Sequence, residues 1–102
     1  MADLAEVTRI MSEGGAWLPG KTVKFDFGDT GVILLDGVAG AVSNDDRAAD
    51  AVIRITFDNF KKLAKGELSA TTAFMLGKLK VSGDMGVAMQ LQQVTSKLKL
   101  AG

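Results

Sequence analysis

Apolar side chains stand at every second position in residues 22–27 and again in residues 51–57, and this pattern constrains the fold more than any other feature. A period of two predicts strands that have one face against a core and the other toward water. Residues 32–35 are apolar at every position, which predicts a strand covered or partly covered on both faces. The sequence therefore predicts a fold built around a sheet.

Two further strands are predicted in this sheet. A short one runs through Ala41 and Val42, and Leu79 and Val81 alternate with polar residues in a fifth. The polar residues 43–50 are long enough to carry the chain across the fold between the third and fourth strands. The predicted order is three strands, a crossover and two more strands.

Four helices are predicted before, between and after the strands, each beginning at a residue whose side chain can cap a helix. The first, which starts at Leu4, ends at Gly14 and Gly15; the second ends at Gly66; the third ends at Gly77 in the left-handed conformation. The predicted N-caps are Asp3, Asp58, Ser69 and Asp84.

The composition restricts the function. A chain of 102 residues fits one domain, residues 1–102. Basic and acidic side chains number 12 each, and this balance argues against nucleic-acid binding, which needs excess cations. Cys, His and Tyr are absent, so disulfides, thiolate metal sites and thiol nucleophiles are excluded, and only carboxylates and lysines remain for proton transfer. We expect no catalytic residue, no metal site and no cofactor.

The chain is expected to be cytoplasmic. It has no uninterrupted run of about 18 apolar residues, the length that a membrane-spanning helix needs. Its first residues include Asp3 and Glu6, unlike the cationic start of a secretory signal.

The predicted last helix has two apolar sides. One side packs on the sheet, and Met85 and Met89 lie opposite it, near Gln92. A helix on a sheet needs only one apolar stripe, so the methionines predict contact with another helix, another subunit or a lipid. The residues of the sheet-facing stripe are Val87, Leu91, Val94 and Leu98.

Charge is divided between the two parts of the chain. Residues 1–60 hold five basic and ten acidic side chains, a net charge of −5, whereas residues 61–102 hold seven basic and two acidic ones, a net charge of +5. Lysines of the second part either solubilise exposed faces or make transient contact with an anionic membrane surface. These lysines are Lys61, Lys62, Lys65, Lys78 and Lys80.

From residue 51 onward the sequence resembles a known family. The segments 57–60 (FDNF), 65–67 (KGE) and 73–92 (AFMLGKLKVSGDMGVAMQLQ) are similar to the C-terminal half of the sterol carrier protein type two family. The hairpin 23–37 (VKFDFGDTGVILLDG) matches its earlier half more loosely. The resemblance is closest to a short, stand-alone, prokaryotic-like member.

The resemblance implies an α+β fold and a lipid-binding function. In that family an N-terminal helix and a five-stranded sheet are arranged as above, helices cover one face of the sheet, and an apolar tunnel lies between sheet and helices. The implied function is non-enzymatic binding and intracellular transfer or presentation of a fatty acid, fatty acyl-CoA, phospholipid or sterol-like molecule. A carrier of isoprenoid quinone precursors, or an interaction module with a collapsed tunnel, is the alternative.

The resemblance also implies which residues contact the lipid. The tunnel-facing positions of the family's last helix fall at Met85 and Met89, and Gln92 offers a hydrogen bond to a head group. The remaining residues lie on the short helices expected to wall the tunnel, although core packing alone explains each of them. They are Phe57, Phe60, Phe74 and Met75.

Overall fold

The helices and strands follow the predicted order along the chain. A computed structural model describes residues 3–87, 89 and 90. Residues 85–87, 89 and 90 are helical and form the final helical segment. The preceding elements are α1 (Leu4–Glu13), β1 (Thr22–Asp26), β2 (Val32–Asp36), β3 (Ala41–Ser43), β4 (Ala51–Ile55), α2 (Phe57–Lys65), α3 (Ala70–Met75) and β5 (Leu79–Gly83).

The five strands form one mixed sheet in the order β3-β2-β1-β4-β5. The first three strands are an antiparallel meander. The chain then crosses to the other side of β1, where β4 pairs with β1 in parallel and β5 pairs with β4 antiparallel. This arrangement confirms the prediction of three strands, a crossover and two strands.

The main core lies on one face of the sheet, under the helices. Alternate residues of β1 and β4, such as Phe25 and Ile53, are buried there. Val7 and Met11 of α1 and Phe60 of α2 belong to the same buried cluster. Helices therefore cover this face, as predicted. No helix in residues 3–87, 89 and 90 is long and apolar enough to cross a membrane.

The crossover between β3 and β4 is held by ion pairs on the opposite face. Lys24 Nζ lies 2.7 Å from Asp46 Oδ1, and Arg47 Nη2 lies 3.2 Å from Asp36 Oδ2. Lys24 is the register partner of Leu34, and Asp36 follows Leu34 on the same face. The crossover thus passes close to Leu34, which is buried. The prediction that β2 is covered on both faces is confirmed.

Three of the four predicted helix caps are confirmed. Asp3 accepts a hydrogen bond from the Glu6 backbone N–H, and Ser69 accepts one from that of Thr72. Asp84 Oδ1 accepts from two backbone N–H groups of the final helical segment.

The prediction that Asp58 caps α2 is wrong. β4 ends at Ile55, so Phe57 is the first residue of α2 rather than a strand residue. Thr56 is therefore the N-cap, and its side chain accepts from the Asn59 backbone N–H at 3.2 Å. Asp58 lies inside the first turn and forms an ion pair with Lys61 at 3.8 Å.

Candidate functional site

Four phenylalanines form an aromatic cluster between the sheet and α2. The ring of Phe60 lies 4.8 Å from that of Phe25 and 5.2 Å from that of Phe27, measured between centroids. Phe57 lies 5.2 Å from Phe27 in an edge-on arrangement. Three of the four rings are buried, and Phe57 is partly buried. The aromatic cluster thus packs α2 against Phe25 and Phe27 of the sheet side.

Simple periodicities bring these four rings together. Phe25 and Phe27 are two residues apart on extended chain and face the same side of the sheet. Phe57 and Phe60 are three residues apart on a helix and share one face. Phe57 and Phe60 were predicted in the tunnel wall or the core. Their ring partners Phe25 and Phe27 were not predicted as site residues, although the alternation in residues 22–27 already placed both on one face.

The end of α3 exposes large apolar side chains. Ala73 is buried in the core, whereas Phe74, Met75 and Leu76 are 52%, 79% and 63% exposed. Phe74 and Met75 were predicted to wall the tunnel, and the structure places both at the surface. Leu76, which was not among the predicted site residues, extends this surface. The run of three large apolar residues in the sequence was the signal for it.

Backbone hydrogen bonds hold the end of α3 in place. Gly77 adopts the predicted left-handed conformation, with φ of 74°. Its N–H donates to the Phe74 carbonyl at 3.1 Å, and the Lys78 N–H donates to the Ala73 carbonyl at 2.8 Å. This pair of bonds is a Schellman motif, which ends a helix and turns the chain sharply. The exposed residues therefore sit on a fixed turn between α3 and β5.

The final helical segment has the two sides that its sequence predicts. Val87 is buried in the core, while Met85 is 50% and Met89 is 71% exposed. At about 100° per residue, Met85 and Met89 share one side and Val87 lies on the other. Gln92 and the rest of the sheet-facing stripe lie outside the described residues.

The predicted site residues that the structure describes lie on three elements, α2, α3 and the final helical segment. The exposed end of α3 precedes Leu79, which pairs with Ile55, and the methionines follow Gly83, which pairs with Ala51. The two ends of β5 itself lie about 13 Å apart along the strand. The aromatic cluster lies under α2, which follows β4.

The five predicted membrane-facing lysines differ in their surroundings. Lys62, Lys78 and Lys80 are exposed. Lys61 is partly buried, and its Nζ lies 5.1 Å from the centroid of the Phe57 ring. Lys65, the last residue of α2, is exposed and interacts within the fold. Positive charge is thus present along both α2 and β5.

The carboxylates with shifted acidity have structural roles. The Ala39 backbone N–H, with those of Val38 and the Arg47 guanidinium, lowers the pKa of Asp36 against a smaller opposing effect of burial. The Thr22 backbone N–H lowers the pKa of Asp50 in the same way. Within the described residues, no group of three or more acidic side chains is placed to hold a metal ion.

Comparison with known proteins identifies the family. Residues 13–96 match the SCP-2 sterol transfer family. The chain belongs to this family. Human sterol carrier protein 2 is 37% identical over 63 residues, which are 62% of this chain and 12% of the human protein. The chain therefore corresponds to a small part of that relative's length.

Solved structures share the fold of this SCP-2 family member. Sterol carrier protein 2 from Aedes aegypti, in complex with palmitate, matches with a TM-score of 0.78 over 97% of this chain and 100% of that chain, at 19% identity. A ubiquinone synthesis protein, UbiJ-SCP2, matches with a TM-score of 0.61 over 83% of this chain and 73% of that chain, also at 19% identity. These matches confirm the α+β fold, and family membership supports lipid binding and transfer in general.

Proposed function

We propose that this protein binds a lipid with a long alkyl chain and carries or presents it in the cytoplasm without chemical change. The proposed ligands are a fatty acid, a fatty acyl-CoA, a phospholipid or a sterol-like molecule. One observation carries the proposal: a family match over residues 13–96, in a fold whose neighbour from Aedes aegypti holds palmitate. The lysines of α2 and β5 support transient contact with anionic membranes during transfer.

Burial of an alkyl chain supplies enough free energy for such binding. Each buried methylene contributes about 0.8 kcal/mol, so a sixteen-carbon tail contributes on the order of 10 kcal/mol before the cost of ordering the complex. No specific polar contact is required for this gain. A site of this kind accepts tails of different shape, because apolar burial is not directional.

We place the tail against the methionine side of the final helical segment. Met85 and Met89 are exposed on one side of a segment that Val87 anchors to the core. Methionine is unbranched and polarizable and adapts to varied apolar partners. Under this proposal the aromatic cluster of Phe57 and Phe60 supports the site from the sheet side, and Gln92 contacts the head group.

The carrier proposal assigns no catalytic residue. Proton transfer at neutral pH needs a group whose pKa lies near 7. The chain has no His, Cys or Tyr. Asp36 and Asp50, whose pKa values are shifted within the described residues, are shifted downward, away from neutrality, by hydrogen bonds that hold turns and the crossover.

Met89→Lys tests the proposed site. A lysine introduced at a lipid contact loses the buried apolar surface and must desolvate a charge, so we expect palmitate affinity to fall at least tenfold, or more than about 1.4 kcal/mol. Gln90→Lys is the matched control, because Gln90 is exposed one position away and the same charge is added. Displacement of a fluorescent fatty acid measures both variants.

Equal affinity of wild type, M89K and Q90K would place the lipid elsewhere. Native mass spectrometry of the purified protein, followed by extraction of any bound molecule, tests the proposed function itself. A concentration-dependent mass with no lipid bound would instead support an interaction module with a collapsed tunnel.

An isoprenoid quinone precursor is the second candidate ligand. The shared fold with a ubiquinone synthesis protein favours it. An isoprenoid tail is branched and apolar and is bound by the same burial of surface. Competition between palmitate and a polyprenyl benzoate distinguishes the two candidate ligands. Displacement of palmitate by a low concentration of the polyprenyl benzoate would support the quinone precursor, and the reverse would support the fatty acid.

A further inference from the structure

The end of α3 carries an exposed apolar surface on a different element from the methionines against which we place the alkyl tail. Phe74, Met75 and Leu76, here named the α3 tip, are each more than half exposed. Three consecutive large apolar side chains at the surface are costly in water unless they meet a partner. The exposure of the α3 tip therefore indicates a surface that contacts a partner.

The α3 tip is held outward by the way α3 packs. Ala73 is the buried residue of this turn, and α3 packs beside β5. Met75 is two residues further along and points about 160° away from Ala73. The Schellman bonds of Gly77 and Lys78 fix the turn that follows. Met75 can therefore become buried only if α3 rotates and Ala73 leaves the core.

The α3 tip lies in a positively charged part of the chain. Residues 61–80 hold five lysines and a single acidic residue, Glu67. Lys78, two residues after the α3 tip, is exposed. Asp58, the nearest acidic residue before this stretch in sequence, is paired with Lys61. An exposed apolar tip followed by the exposed Lys78, in a basic stretch of the chain, matches the chemistry of an anionic lipid surface, which combines phosphate groups with an apolar interior.

Another exposed helix offers the opposite chemistry. The outer side of α1 carries Glu6 and Glu13 on either side of Arg9, and both carboxylates pair with that guanidinium. No large apolar residue of α1 is strongly exposed. An anionic surface therefore favours approach by α3 over approach by α1.

We propose that the α3 tip is the membrane-docking element of this protein and that it binds anionic bilayers. Met75 and Leu76 insert among the lipid head groups, Phe74 lies at the same level, and Lys78 contacts a lipid phosphate. This inference rests on the proposed function for its purpose, since a carrier must meet a membrane, but the contact itself needs no bound lipid.

Vesicle binding by the ligand-free protein tests the apolar part of the proposal. The probe is a vesicle of equal parts phosphatidylcholine and phosphatidylglycerol, and co-sedimentation measures the partition coefficient. We expect the double variant M75S/L76S to bind at least about tenfold more weakly than wild type, because two apolar side chains no longer enter the membrane. V38S is the matched control: Val38 is 74% exposed but lies in the β2–β3 turn, and its variant is expected to bind as wild type does.

Charge is tested separately. K78Q is expected to bind about fivefold more weakly to the same vesicles, the effect of one lysine at an anionic surface. K21Q, which removes an exposed lysine just before β1, is expected to bind like wild type. Binding of wild type to vesicles of phosphatidylcholine alone is expected to be weaker and independent of salt.

Three outcomes would overturn the proposal. M75S/L76S and V38S could bind vesicles equally well, K78Q and K21Q could be equally impaired, or wild type could form a dimer that M75S/L76S abolishes, which would assign the α3 tip to a second copy of the chain. Palmitate binding measured without vesicles reports on the proposed function alone. Failure of one proposal is therefore distinguishable from failure of the other.

Discussion

Asp36 joins two parts of the fold through one carboxylate. It accepts hydrogen bonds from the backbone N–H groups of Val38 and Ala39, both at 3.0 Å, and so shapes the turn between β2 and β3. Its second oxygen accepts from Arg47 in the crossover at 3.2 Å. These donors stabilise the ionised form, which is why the pKa of Asp36 is lowered.

The lowered pKa predicts a loss of stability in acid. Because the folded-state pKa lies below that of the unfolded chain, the stabilisation is fully present above about pH 4 and is lost as pH falls through the folded-state value. We expect D36N to be less stable than wild type at pH 7 and to approach it as pH falls toward 2. Urea unfolding across this pH range measures the difference; a constant difference at all pH values would contradict the assignment.

At the scale of elements, the boundary between β4 and α2 decides how the aromatic cluster forms. Thr56 caps α2 directly after the strand, so Phe57 enters the first turn and meets Phe27. If α2 began after Asp58, as the sequence suggested, Phe57 would instead be the last residue of β4. The position of the cap thus sets which rings meet.

Substitutions at the two candidate caps separate these arrangements. We expect T56A to lower the free energy of unfolding by about 1 kcal/mol, since the Asn59 N–H loses its partner. D58A removes an exposed side chain of the first turn and its pair with Lys61, and we expect a loss below about 0.5 kcal/mol. Urea unfolding at pH 7 measures both, and a larger loss in D58A than in T56A would restore Asp58 as the cap.

At the scale of the whole molecule, helices and the crossover cover different faces of one sheet. The core face holds the aromatic cluster and Val87, while the other face carries ion pairs to residues 46 and 47. Residues 61–102 carry a net charge of +5, and residues 1–60 carry a net charge of −5. Apolar exposure at the α3 tip and at the methionines falls in the basic part.

A bound lipid is expected to stabilise the whole molecule. A ligand that binds only the folded state at 100 times its dissociation constant adds about 2.7 kcal/mol, which for a domain of this size raises the melting temperature by on the order of 10 °C. Thermal unfolding with palmitate measures this rise. Acetate is the control, since it has the carboxylate without the tail; an equal shift with acetate, or none with palmitate, would argue against an alkyl-chain site.

From the sequence alone we could predict the order of the elements, the caps at Asp3, Ser69 and Asp84, and the opposite sides of Val87 and Met89. Each of these depends on hydrogen bonds or periodicity among near neighbours in the chain. Tertiary packing, in contrast, sets the pairing of β4 with β1, the start of α2 at Phe57 and the burial of Ala73 in α3. Which side of α3 faces the core could not be predicted, because the helix has only six residues and several of them are apolar. That side is set by which side chain packs closely against β5.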